Sequence, residues 1–460
     1  MLLKRLPTSG LAINSYVAAD SKTKEGVVID PTRDTSALLQ FINLEEITIT
    51  HIFETHVHAD FVSGAKELKH QLNDRPLICC SGLGGPEWVP HYADKTLEDR
   101  EEILIGSLHF QIWHTPGHTP EHIMLVVSDD ARNPKIPSLA FTGDFLFVGS
   151  VGRPDLLGDE NLEKLSQQLY DSVFHILPQL PDYLEIYPAH SAGSVCGSKI
   201  NSTAQSTLGY ERLANPLLQP RDEDSWIQLL LQNMPKIPGY FARLKKWNVL
   251  GVPLVDHLPI PKKLSLREIS EKSFILDARS QEEFAAKHVP NSINLGFWSS
   301  LNKWLPQLVP YDPPIYVIIK EESQLSALLA ALHLVGLDHV AGFATFTSDD
   351  LTFTSFPLAN PETIAKQHEE MPDKMCILDV RTQAEWDEGH LKDATHIDLS
   401  DLGKSMHLLS WDKQIAVICG TGYRSSAAAS LLQKEGFKNV CNIKGGMQGW
   451  KKAQLPVVTK

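Results

Sequence analysis

The chain has 460 residues, 42% hydrophobic and 21% charged, with a formal net charge of −14; that length exceeds one core and implies roughly two to four domains. The acidic balance, with no concentrated basic patch and no apolar run of about 20 residues, excludes nucleic acid and the membrane as partners. Six cysteines in so long a chain make no disulfide framework, and free thiols place the protein in the cytoplasm.

Met1 to Pro7 soon meets Ser9-Gly10 and lacks the apolar core of a leader. Residues 46–52 alternate in strand fashion and lead into His56, His58 and Asp60, three potential ligands at alternate positions. Three more candidates follow apolar runs in turn-rich stretches: His118, Asp144 and His190. Four such segments in this order predict an αββα sandwich that gathers ligands at one edge. Cys196 lies on a small-residue loop just past His190 and has two readings, a sulfane-sulfur relay beside a metal or an inert apolar residue. Cys79, Cys80, Cys376 and Cys441 sit in apolar contexts and read as packing. Residues 224–231 and 240–248 read as helices, and Pro253, Pro259 and Pro261 mark a linker. The expected domains are 1–252, 262–358 and 361–460.

The second half is duplicated. Residues 274–284 match 376–386, and Ile315–Ile318 match Ile415–Ile418 at an offset of 415 − 315 = 100. Each copy alternates short buried strands with helices, as an α/β domain with a largely parallel sheet does. Asp277 with Arg279, and Asp379 with Arg381, read as structural ion pairs. In the second copy Cys419 opens the loop Cys419-Gly420-Thr421-Gly422-Tyr423-Arg424 between a strand and a helix. Such a loop is an anion trap, because its amides point inward and the helix dipole adds about half a positive charge. A thiol there ionises readily and acts as a nucleophile, while Arg424 offers a two-pronged clamp for an anionic substrate. The first copy has Ile319 and Gln324 at these two positions. It is read as inactive, serving either as a docking surface or as a spacer.

The Cys419–Arg424 loop, with Leu378–Arg381 and Glu385–His390 upstream and Gly445–Trp450 downstream, resembles the rhodaneses, sulfurtransferases that carry sulfur as a cysteine persulfide. The first half resembles the metallo-β-lactamase superfamily. The two resemblances imply an α/β multidomain chain: a metallo-β-lactamase sandwich followed by two rhodanese-like domains, the second active. Two-metal members use His-x-His-x-Asp-His, whose last position here is Phe61, so the resemblance implies a lost or weakened second site. His56, His118 and Asp144 remain as a facial set, which suits one non-haem Fe(II) holding both a substrate and O₂.

The persulfide dioxygenases of that superfamily use such a site, and Gly152-Arg153-Pro154-Asp155-Leu156 matches their segment in which the arginine contacts a thiol co-substrate. The resemblance implies Fe(II) as cofactor and a low-molecular-weight thiol persulfide, O₂ and sulfite or thiosulfate as small-molecule partners. His58, Asp60 and His190 would orient ligands and waters or stand as ordinary polar residues. A homo-oligomer is left open. The alternatives are a zinc thioester hydrolase with a rhodanese tail and a non-enzymatic persulfide sensor or carrier.

Overall fold

The computed structural model describes residues 1–8, 10–232, 234–297, 301–347 and 351–459. Contacts divide the chain into two compact units, Met1–Leu258 with His333–Gly336, and Pro259–Leu332 with Leu337–Lys460. The first boundary falls six residues past the expected 252, after a short 3₁₀ turn at Val255–His257. The two rhodanese-like copies, expected as separate domains, form one unit.

In the first unit one six-stranded sheet runs Leu2–Thr8, Ile13–Ala19, Glu25–Ile29, Thr48–Phe53, Leu77–Ser81, Lys95–Leu97. The other runs Ser206–Thr207, Glu185–Pro188, Asn133–Gly143, Ile123–Asp129, Leu108–His114, Glu102–Ile105. Every residue of Ile13–Ala19 is buried, because a central strand covered on both faces reads as continuous rather than alternating apolar sequence. Tyr16, Val27 and Phe53 of one sheet meet Phe110, Ile123 and Phe141 of the other. The Tyr16 and Phe141 rings lie 5.1 Å apart, and those of Phe53 and Phe110 5.7 Å. The outer face of the first sheet packs on Leu38, Ile42 and Leu68 from helices Ser36–Leu44 and Ala65–Gln71. The outer face of the second packs on Leu169, Trp226 and Leu230 from helices Asp159–Asp171 and Glu223–Leu231. This is the expected αββα sandwich.

The second unit holds two five-stranded parallel sheets of identical topology. The first has the order Lys262–Lys263, Val340–Thr345, Ile315–Ile319, Ile275–Asp277, Ile293–Asn294. The second has Leu358–Ala359, Val440–Ile443, Gln414–Ile418, Met375–Asp379, Thr395–His396. Among the described residues no helix is long and apolar enough to cross a membrane.

Each copy is pinned by a buried ion pair at the end of its Ile275–Asp277 or Met375–Asp379 strand. Arg279 is forked onto Asp277, with its shortest contact at 2.6 Å, and Arg381 grips Asp379 at the same distance. Arg381 also donates to the carbonyls of Glu385 and Gly389, at 2.9 and 2.8 Å, and so fixes the segment that follows the strand. Breaking a buried pair strands the remaining charge, so Arg381→Ala should cost about 3–5 kcal/mol. Urea unfolding of the second unit measures this, and Arg381→Lys should recover only part of the loss because an ammonium cannot fork.

Candidate functional site

His56, His118, Asp144 and His190 each follow the C-terminal end of a strand, at Phe53, His114, Gly143 and Pro188. Their sheets therefore deliver them to one edge. His56, His118 and Asp144 are buried, and each offers a donor atom within 4.8 Å of the other two. Asp144 Oδ2 lies 3.7 Å from His56 Nε2 and 3.4 Å from His118 Nε2. Both separations are shorter than two metal–ligand bonds of about 2.1 Å laid end to end.

The chemistry of the donors fits a cation. His118 Nδ1 donates to the Arg153 carbonyl at 3.0 Å, and His56 Nδ1 bonds to Thr55 Oγ1 at 3.0 Å, which leaves both Nε2 lone pairs facing inward. Burial, reinforced for His56 by neighbouring histidines, pushes both imidazoles down and keeps them neutral, as a ligand must be. Burial raises the Asp144 carboxyl, but the charge and hydrogen bond of His190 outweigh it and hold the group well below the usual carboxylate range. Asp144 Oδ2 is buried without a hydrogen-bond partner. A buried anionic oxygen left open between two imidazole lone pairs is a cation site in waiting.

Gly143 positions that carboxylate. Its φ of +52° is left-handed, and a Cβ there would stand 2.4 Å from His122 Nε2. His122 accepts the Asp144 amide at 3.0 Å and is itself held by Thr115 Oγ1 at 2.9 Å.

His190 and Asp60 stand beside the set rather than in it. His190 Nδ1 binds Asp144 Oδ1 at 2.6 Å and Nε2 binds Asp60 Oδ2 at 2.9 Å. Burial lowers this imidazole, but the two carboxylates outweigh burial and bring it up to about 10, so it is an imidazolium clamp. His58 turns away, 3.2 Å from Asp30 and 3.4 Å from Glu54, and is packed on the Phe61 ring. Burial opposes its charge, yet the two carboxylates hold it well above the ordinary imidazole range, and with Asp30 and Glu54 it forms a separate group whose ligand atoms lie within 4.8 Å of one another. Cys196 is buried within 4.8 Å of ligand atoms of Asp60 and His190. Burial, then the Asp60 and Asp144 charges, push its thiol well up.

Arg153 is buried and committed. It forks onto Asp155 at 2.6 and 2.7 Å and donates to the carbonyls of Val195 and Pro235. With its own carbonyl on His118, it braces the metal edge and the Cys196 loop instead of facing an open surface. The sequence reading missed Asp30, Glu54 and His122. Asp30 closes an apolar strand, Val27-Val28-Ile29, just as Asp144 follows Phe141-Thr142-Gly143, so the signal was present.

In the second unit Cys419 is buried at the end of strand Gln414–Ile418, and helix Tyr423–Lys434 begins four residues on. The Gly422 amide donates to Cys419 Sγ at 3.1 Å and Ser425 Oγ lies 3.3 Å away, as an anion cradle requires. Arg424 does not face the loop alone. It forms a fork with Glu385 through two bonds of 2.6 Å. The matching loop of the first copy has filled its own cradle. Gln324 Oε1 accepts from the amides of Lys320 and Glu321 at 3.1 and 3.2 Å, and Lys320 pairs with Glu283, the counterpart of Glu385.

Fold and site together define a sandwich with a metal-ligand set, joined to a duplicated thiol-loop domain. Residues 8–190 match the metallo-beta-lactamase superfamily, and residues 262–346 and 361–453 match the rhodanese-like domain. A crystal structure of a metallo-beta-lactamase from Staphylococcus aureus is 31% identical, with a TM-score of 0.68 over 75% of this chain and 99% of that one. The mitochondrial persulfide dioxygenase of Homo sapiens is 30% identical over 48% of this chain and 78% of its own length. A hydroxyacylglutathione hydrolase of Dictyostelium discoideum is 30% identical over 38% of this chain, which spans only 61% of that relative. The chain belongs to the metallo-beta-lactamase superfamily, in a form with persulfide dioxygenase homologues and two rhodanese-like domains.

The Arg424–Glu385 fork carries a pH signature. Burial raises the Glu385 carboxyl, but Arg424 and then Thr382 outweigh it and bring the group down to about 2. A carboxyl depressed in the folded state adds stability above its ordinary pKa of about 4.3 and loses that stability as pH falls towards the folded value. Wild type should therefore lose stability relative to Glu385→Gln between about pH 4.5 and pH 2, by on the order of 1 kcal/mol after solvent screening. Chemical denaturation across that range checks the slope.

Proposed function

We propose that the chain joins a persulfide dioxygenase to a rhodanese sulfurtransferase. One observation carries the first half: two neutral imidazoles and one open carboxylate oxygen, all buried, face a common point. Fe(II) bound by His56, His118 and Asp144, one per chain, would supply adjacent positions for a persulfide sulfur and O₂. The overall reaction turns a thiol persulfide, O₂ and water into the thiol and sulfite. His190 holds Asp144 Oδ1, so the carboxylate presents a single oxygen to the cation. The fully buried Phe61 fills the place of the histidine that two-metal relatives supply.

The second half rests on Cys419 in its amide cradle. The thiolate takes the outer sulfur of a sulfane donor and becomes a persulfide, with the Gly422 amide stabilising the anion. That sulfur passes to a thiol, feeding the dioxygenase, or to sulfite, giving thiosulfate. The combined role is the disposal of sulfide and persulfide in the cytoplasm.

One observation favours a second reading, a zinc-dependent thioester hydrolase. Asp60, His190 and Cys196 also offer ligand atoms within 4.8 Å of one another, Asp60 Oδ1 is buried without a partner, and a second cation there would displace the protons of His190 and Cys196.

Anaerobic purification followed by metal analysis should find about one iron per chain, and glutathione persulfide should then drive oxygen uptake. Asp144→Ala should lose both bound iron and uptake by about 100-fold or more. Two zincs with thioester cleavage would replace this reading by the hydrolase. Cys419→Ser should retain oxygen uptake and lose thiosulfate–cyanide sulfur transfer, and transfer that survives the change removes Cys419 from its role.

A further inference from the structure

Beside the sulfur of Cys419 stands a hydroxyl with one hydrogen and three acceptors in reach. Ser425, in the first turn of helix Tyr423–Lys434, has its Oγ 3.3 Å from Cys419 Sγ, 3.0 Å from the Gly422 carbonyl and 2.6 Å from Asn442 Oδ1. Asn442 comes from strand Val440–Ile443, which pairs with the strand that ends at Ile418 and sets Asn442 opposite Val417. Cys419, Ser425 and Asn442 are all fully buried, so these groups must settle their hydrogen bonds among themselves.

Their neighbours decide where the hydrogen goes. The Gly422 carbonyl already accepts from Asn442 Nδ2 and from the Ser426 amide, each at 3.0 Å. The bond from Nδ2 also fixes the sense of the Asn442 amide, because the flipped form would set two oxygens against each other. Oδ1 therefore faces Ser425, and among the described residues that hydroxyl is its one donor. In a free thiolate the charge sits on Sγ, and two buried acceptors, Sγ and Oδ1, claim one hydrogen. In the persulfide, Sγ is a neutral bridging atom, the charge has moved to the outer sulfur, and Oδ1 keeps the hydroxyl unopposed.

We propose that Asn442 is a positioning residue that biases Cys419 towards its sulfur-loaded state by holding the Ser425 hydroxyl away from the thiolate. The inference rests on the sulfurtransferase reading of Cys419. The first copy, which has no thiol to load, has Leu325 and Gly342 at the positions of Ser425 and Asn442. The balance that reports the bias is Cys419–S–S⁻ + SO₃²⁻ ⇌ Cys419–S⁻ + S–SO₃²⁻. One S–S bond breaks and one forms: the lone pair of sulfite takes the outer sulfur, and the electron pair of the broken bond stays on Sγ.

The test holds the full chain without O₂ at a series of thiosulfate-to-sulfite ratios, and mass spectrometry of the Cys419 peptide reads the fraction that carries an extra sulfur. Asn442→Leu frees the hydroxyl for the thiolate and should shift the balance about ten-fold towards the unloaded form, the effect of one buried acceptor gained or lost. Ser425→Ala takes the hydrogen from both claimants and should move the balance less than about two-fold. The double variant should return to within about two-fold of wild type, because no hydroxyl is left for Asn442 to hold. A shift that persists in the double variant is a packing effect and overturns the proposal. So does an unchanged balance in Asn442→Leu, or tighter sulfur retention in Ser425→Ala. If Asn442→Leu fails to fold, the smaller Asn442→Val carries the same cycle, and tighter retention in Ser425→Ala alone still overturns the proposal. If wild-type Cys419 takes up no sulfur at any ratio, the sulfurtransferase reading itself fails, whereas equal loading in all the variants removes this inference alone.

Discussion

The sandwich depends on how one carboxylate is divided. Asp144 is wholly buried, so its charge costs several kcal/mol to desolvate unless partners offset it. Oδ1 has its partner in the His190 imidazolium, itself anchored by Asp60. Oδ2 has none, and an unmet buried acceptor costs about 1–3 kcal/mol. A cation placed between Oδ2 and the lone pairs of His56 and His118 meets that need without breaking the clamp. The demand for metal is thus written into the hydrogen bonding of the protein. Gly143 and His122 serve the same end, because they fix the backbone on which the divided carboxylate stands.

The Cys419 loop applies a related logic to an anion. A ring of inward amides needs something negative at its centre. In the second copy the sulfur of Cys419 meets the Gly422 amide. In the first, the carbonyl oxygen of Gln324 takes the amides of Lys320 and Glu321. The first loop therefore shows no vacancy. It has exchanged a reactive centre for a satisfied turn, at the two positions where sequence alignment puts Ile319 against Cys419 and Gln324 against Arg424.

That exchange was legible in sequence because the two copies align without a gap across the strand, loop and helix. The metal edge was legible for another reason. Each ligand directly follows an apolar strand, so local pattern announces a strand end even though it does not say which ends meet. What stayed hidden depends on contacts far apart in the chain. Asp30 and His58 are 28 positions apart, and Gln281 and Gly422 are 141 apart. No local pattern signals that Arg153, read as a substrate contact, spends its donors on Asp155, Val195 and Pro235. The joining of the two repeats into one compact unit stayed hidden for the same reason. Two cores legible as separate repeats share the polar contacts of Asn294 with Ser426 and Ser430, and these appear only on folding.

Which residues the inactive copy kept follows from what each would cost to lose. Ile319 is fully buried, so replacing a thiol by a larger apolar group there removes chemistry without exposing a polar atom. Losing Arg279 would instead strand Asp277 in the core, at a cost comparable with much of the 5–15 kcal/mol that holds a domain together. The Ser280–Glu283 capping box persists, as does its counterpart Thr382–Glu385. Beyond these internal supports, Asn294 reaches Ser426, His288 reaches Gln433 and Gln281 lies against Gly422, while Asn294 also holds the Asp277 and Arg279 carbonyls and His288 the Phe284 carbonyl of their own copy. Those contacts constrain the helix that carries Arg424. A repeat released from catalysis is therefore still held to a shape by the loop it no longer possesses, through the copy that does.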